Sequence, residues 1–153
     1  MRPWLAVAAL GASLWTVGAP AEASAAGRVA IFDFGGPRKS VRAGRYLAKR
    51  LRARWAKDLA ADGGAVLDRD AMVAAVGKRC VRSGDCPRDV AAKLDVDAVL
   101  HGELADLGSL QLRLELRDAG TDKVLHTASL LAPRVDGLVD KLPGAWGLGA
   151  GGG

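Results

Sequence analysis

The chain is poor in the residues that build reactive sites. Its 153 residues include two cysteines, two histidines, two methionines and one tyrosine. A zinc site would need ligands beyond the cysteine pair, and only His101 and His126 are on hand, each on an expected strand with no ligand-like neighbour in sequence. One tyrosine, Tyr46, makes no stacking array for nucleic acid. No G-x-S-x-G occurs, so there is no sign of a serine nucleophile at a strand-to-helix elbow. Gly36-Pro37-Arg38-Lys39-Ser40 falls where a phosphate loop would be, but it lacks the second glycine and the required spacing. Asp33-Phe34-Gly35 echoes a kinase tripeptide without the other kinase signatures. Asp95, Asp97 and Glu103 read as turn and sheet-surface carboxylates. Internal repeats and coiled-coil heptads are also missing. These gaps point to a protein that is not an enzyme, with no cofactor and no metal.

Long apolar runs are scarce too. Only residues 1–25 approach one: Arg2 is a short positive start, Leu5 to Trp15 an apolar stretch, and Ala23-Ser24-Ala25 a small-residue cleavage site. The stretch is interrupted by Gly11, Ser13, Thr16 and Gly18, and is too short to span a bilayer comfortably. It reads as a secretory signal peptide rather than an anchor, with a mature chain beginning near Ala26. With no cysteine at the cleavage site, a lipid anchor is not expected. The expected location is therefore periplasmic or otherwise secreted.

Export changes the meaning of Cys80 and Cys86. In an oxidising compartment an even cysteine count favours a disulfide, and the turn signal in Val81-Arg82-Ser83-Gly84-Asp85 can bring the pair within bridging distance. Closing so short a loop contributes about 2 kcal/mol by chain entropy. Redox and metal roles are the competing readings, but a redox pair more often has Cys-x-x-Cys spacing.

What the chain has in quantity is apolar residues, half of the total, enough for one domain with a real core. From Leu110 to Arg117 the alternation is unbroken, with Leu110, Leu112, Leu114 and Leu116 on one face and Gln111, Arg113, Glu115 and Arg117 on the other. Val96 to Leu104 and Val124 to Leu131 are β-rich runs joined to it by Gly-containing turns, which predicts an antiparallel meander. Setting Leu104 against Leu110 and Leu100 against Leu114 makes the apolar faces coincide, and puts His101 near Arg113. A one-residue slip would bury the charges, so the pattern sets the parity of the register but not its value.

Arg28 to Phe34 is a nearly continuous apolar strand of the kind covered on both faces. After Gly35-Gly36-Pro37, Ser40 is a plausible N-cap for a long helix whose Leu47, Leu51, Trp55 and Leu59 form an inward stripe. Nine cations, from Arg38 to Lys57, precede the first acid, Asp58. Arg42, Arg45, Lys49 and Arg52 are the candidates for contact with an anionic envelope surface, lipid headgroups or polysaccharide. The competing reading is a solvated face whose arginine stems cover apolar surface.

Asp62-Gly63-Gly64 ends that helix, Ala65 to Leu67 is a brief strand, and Asp68 caps a helix running to about Val76. Pro87 is placed in the first turn of the next helix. The expected fold is α/β: a mixed five-stranded sheet in the order β-α-β-α-α-β-β-β, with helices packed on it and strands 3 to 5 an antiparallel meander. Val135, Leu138, Val139 and Leu142 have the spacing of a short closing helix. The single domain is expected over residues 26–142, and the Gly-rich residues 143–153 as a disordered tail with Trp146 its one adhesive side chain.

These patterns carry a resemblance. The Arg28 to Phe34 strand, the leucine-spaced helix, Val66-Leu67-Asp68-Arg69 before a helix, the Leu94 to Gly102 strand entry and the Leu116 to Val124 hairpin together resemble the amino-terminal domain of TolB and envelope proteins of the CsgG and FlgO type. The resemblance covers roughly residues 28–131. It implies an exported, non-enzymatic module that works through contacts with an envelope protein partner. No β-propeller, lipidated cysteine or pore-forming segment fits the sequence, so those activities are not implied.

Overall fold

The computed structural model describes residues 27–146. The expected signal peptide and the final seven residues lie outside the described residues. Five strands form one mixed sheet: β1 (Arg28–Ile31), β2 (Ala65–Val66), β3 (Ala98–Asp106), β4 (Leu110–Asp118) and β5 (Val124–Ala132). Their order is β2-β1-β3-β4-β5; β1 is parallel to both neighbours, and β3, β4 and β5 form the antiparallel meander. The helices are α1 (Val41–Ala60), α2 (Arg69–Val76), α3 (Lys78–Ser83), α4 (Val90–Leu94) and α5 (Val135–Lys141).

Strand alternation divides the core in two. Val29 and Ile31 of β1, Leu100 of β3 and Leu112, Leu114 and Leu116 of β4 point to one face. There they meet Leu47, Leu51, Trp55 and Leu59 of α1 and Leu138 of α5. The long helix lies on the sheet because its buried positions recur at i, i+4, giving one apolar stripe. Ala30, Phe32 and Val99 point the other way, onto Met72, Cys80, Val81 and Leu94 from the three short helices. Those helices cover β1 and β3 only. Beyond them, Arg113, Thr127 and Ser129 of β4 and β5 lie open to solvent.

The meander keeps the expected parity with a register shifted by two residues. Leu104 pairs with Leu112 and Leu100 with Leu116, so His101 faces Glu115 and not Arg113. Strand β3 runs on to Asp106, leaving a tight turn with Gly108 at φ +96°, and this turn sets the value that alternation alone left open. Strand β1 is shorter than the apolar run. After Ile31 the chain stays buried, but Asp33 N–H donates to Val81 O at 3.0 Å, and Gly35 returns to the sheet by donating to Gly102 O at 2.9 Å.

Four local expectations differ from the structure. Ser40 holds the N-cap position of α1, but it is buried at the end of a 3-10 turn, Arg38–Ser40, and its side chain makes no capping bond. Pro87 precedes its helix, which starts at Val90 after a turn in which Val90 N–H donates to Pro87 O. Cys80 sits on a helix, α3, rather than in a loop, and the structure joins it to Cys86 across the left-handed Gly84. Finally, Pro143 to Trp146 are not a loose tail. Trp55 Nε1 donates to Pro143 O at 2.9 Å, Ala145 N–H donates to Asp58, and Trp146 meets Trp55 edge-on at 5.5 Å. Asp68 caps α2 as expected, accepting from Asp70 N–H and Ala71 N–H.

Candidate functional site

The cation stripe of α1 borders a groove of about 720 Å³ beside the sheet edge. Arg42, Arg45, Lys49 and Arg52 all line it, because spacings of three and four residues set side chains along one helical face. Tyr46, Ala53 and Ala56 complete the helix wall, and Val66 to Asp70 form the other. The alanines leave the room. Strand β2 is the edge of the sheet, and Ala65 and Leu67 donate their N–H groups inward to Gly27 O and Val29 O. By the two-residue alternation of a strand, the backbone polar groups of Val66, which itself lines the groove, point away from β1 at the open edge.

Arg52 departs from its expected surface role. It is 8 % exposed, and Nε donates to Ile31 O at 2.8 Å while Nη2 reaches Asp33 at 2.8 Å. Arg69 binds the same carboxylate in a fork, with bonds of 2.7 and 3.0 Å. Two guanidiniums thus share one buried carboxylate, tying β1, α1 and α2 together under the groove. Burial pushes the Asp33 carboxyl up, but the hydrogen bonds from Arg69 and Arg52 outweigh it, and the group lies below the usual carboxylate range. Burial lowers Arg52, while the bond to Asp33 raises Arg69.

Arg42, Arg45 and Lys49 are exposed, and among the described residues none has a carboxylate within ion-pair distance. The groove carries five cations against Asp68 and Asp70 on the far lip and Asp33 beneath. The junction was missed in the sequence, although an aspartate inside an otherwise apolar strand is itself a signal, since a buried charge requires a partner.

A second depression of about 650 Å³ lies on the open sheet face, lined by His101, Glu103, Arg113, Glu115 and Ser129 among others. His101 packs edge-on against Phe32 at 5.0 Å, and burial lowers its pKa. His126 lies on the opposite sheet face beside Trp146, so the two histidines are not brought together. Asp97 accepts from Arg28 N–H and Asp95 pairs with the Arg28 side chain, both at the surface. Among the described residues, no group of three or more His, Cys, Asp or Glu could hold a metal, and no helix is long and apolar enough to cross a membrane.

No family model and no curated protein matches the chain. The architecture defines the class: a small mixed α/β module with a parallel edge and an antiparallel meander. Among solved structures it is similar to lipoprotein GNA1162 from Neisseria meningitidis, at 14% identity and TM-score 0.58, over 70% of this chain and 80% of that one. Weaker likenesses, both at TM-score 0.47 and 11% identity, are to the LpoB C-terminal domain from Salmonella enterica and to TolB from Acinetobacter baumannii. The first covers 72% of this chain and 85% of that one; the second covers 71% and 24%. At these identities the likeness is one of fold, and it does not single out the CsgG or FlgO type.

Proposed function

We propose that the chain is an exported envelope module that works without catalysis, through contacts with a protein partner. The observation that carries this reading is the fold it shares with a protein named as a lipoprotein. The use of its buried charges adds support. Asp33, Arg52 and Arg69 hold three elements together, which is a structural task. The bridged cysteines fit an oxidising compartment.

A second reading, a basic adaptor for an anionic envelope surface, is favoured by the three exposed cations Arg42, Arg45 and Lys49. A plane of lipid headgroups or lipopolysaccharide would meet them at the groove lip. Changing the three to glutamine should then abolish salt-sensitive recovery on such a surface; unchanged recovery rejects it.

The protein-contact reading is tested by photo-crosslinking in the cells that make the protein. A photoreactive residue at Ala53 samples the groove, and one at Thr127 samples the open sheet face. The expected result is a discrete protein adduct in the envelope fraction from at least one position. Adducts from neither position reject the reading.

A further inference from the structure

We infer that the groove between α1 and the β2 edge receives an extended acidic segment of a partner protein, aligned along Val66 with its carboxylates toward Arg42, Arg45 and Lys49. The inference rests on the protein-contact reading and names the surface and the chemistry.

Three observations converge on it. The first is charge. Every charged side chain on the helix wall is a cation, while beneath it two guanidiniums share one carboxylate, a half-buried cluster with a net positive charge. Arg52 uses Nε and Nη2, and among the described residues Nη1 has no partner. A carboxylate entering the groove would supply what the cluster lacks. The second is shape. Ala53, Ala56, Val66 and Leu67 give an apolar lining between two walls, a channel for a narrow chain. A membrane plane would rest on the lips without reaching Arg52 in the wall. The third is the backbone. An edge strand with an outward-facing N–H and C=O at Val66 is the template to which an extended peptide adds.

The test uses the mature protein with its disulfide intact and a fluorescent peptide alternating glutamate and valine. Controls are the matching lysine and valine peptide, and phosphatidylcholine vesicles containing phosphatidylglycerol. The glutamate peptide should bind, the lysine peptide should not, and the Val66 amide resonance should move on addition of the glutamate peptide. Ala53→Trp fills the groove and keeps every charge, so it should weaken peptide binding about tenfold or more while leaving any vesicle binding unchanged. Lys49→Gln removes one lip charge and should weaken peptide binding about threefold. Ala53→Leu, a smaller filling that also keeps every charge, provides the same test if the tryptophan variant does not fold. No binding of the glutamate peptide, equal binding of both peptides, or tight vesicle binding with no peptide binding would each overturn the inference. If it falls while Thr127 still gives a protein adduct, the groove is excluded and the protein-contact reading stands.

Discussion

Replacing Asp33 by asparagine should destabilise the domain by about 3 to 5 kcal/mol, the usual cost of leaving buried charge without its partner. Arg52 and Arg69 both depend on that carboxylate, and Arg52 is nearly sealed from water. The amide can accept a hydrogen bond but cannot balance two guanidiniums. Arg69→Gln should cost much less, about 1 kcal/mol, because Arg69 is partly exposed and Arg52 keeps its partner. Urea unfolding gives both values, as midpoint shifts at constant slope. The same group sets a pH dependence. Its folded pKa is lowered, so its contribution is present above the ordinary carboxylate range and is lost as pH falls through that range toward the lowered value. Asp33→Asn should abolish this acid-side loss. A variant as stable as the parent, with an unchanged acid limb, would mean that the junction carries no stability.

Gly44→Ala should destabilise by about 2 to 3 kcal/mol through overpacking, the opposite sign to the gain of about 1 kcal/mol that alanine brings to an unobstructed helix interior. A Cβ built on Gly44 would overlap the Phe34 carbonyl oxygen and lie 3.1 Å from its carbon. The helix therefore sits against the backbone that follows β1, and glycine is what permits the approach. Backbone cannot swing aside as a side chain can, so the sheet or the helix must move. Gly35→Ala is the control: its Cβ meets nothing within 4 Å, and the change should stay within about 0.5 kcal/mol. If Gly44→Ala stabilised the domain, the packing of α1 on the Phe34 segment would be wrong.

The sheet and its main helix were readable because their signals are periodic. Leu112, Leu114 and Leu116 occupy the buried face that their alternation predicts, and Leu47, Leu51, Trp55 and Leu59 form the helical stripe. Register was not readable: parity follows from hydrophobicity, but its value depends on a turn whose closure at Leu107 to Ser109 is a matter of backbone geometry. Helix α3 escaped notice because Lys78 to Ser83 is a single short turn-rich stretch, held by the bridge and by the burial of Cys80 and Val81 rather than by any strong pattern. The groove was half legible. Arg42, Arg45 and Lys49 were visible as a stripe, but it took the position of β2 to show that they border a concavity. Arg52 was grouped with them by spacing, although it lies four residues after Ala48 and seven before Leu59, both buried. Its pairing with Asp33 is a tertiary contact between an acid in an apolar strand and a base beside an apolar stripe. The docking of Pro143 to Trp146 was hidden by the glycines around it, since its seat at Trp55, Asp58 and His126 is formed by tertiary contacts.

Export matters most, because compartment decides both the state of the cysteines and the kind of partner the groove can meet. The direct measurement is mass-tag alkylation of the protein taken from the cells that make it, under denaturing conditions, with the amino terminus sequenced on the same sample. The expected result is a chain beginning near Ala26 that takes up no tag until it is reduced, and then takes up one tag at Cys80 and one at Cys86. A chain retaining residues 1–25 with both thiols reactive before reduction would contradict it.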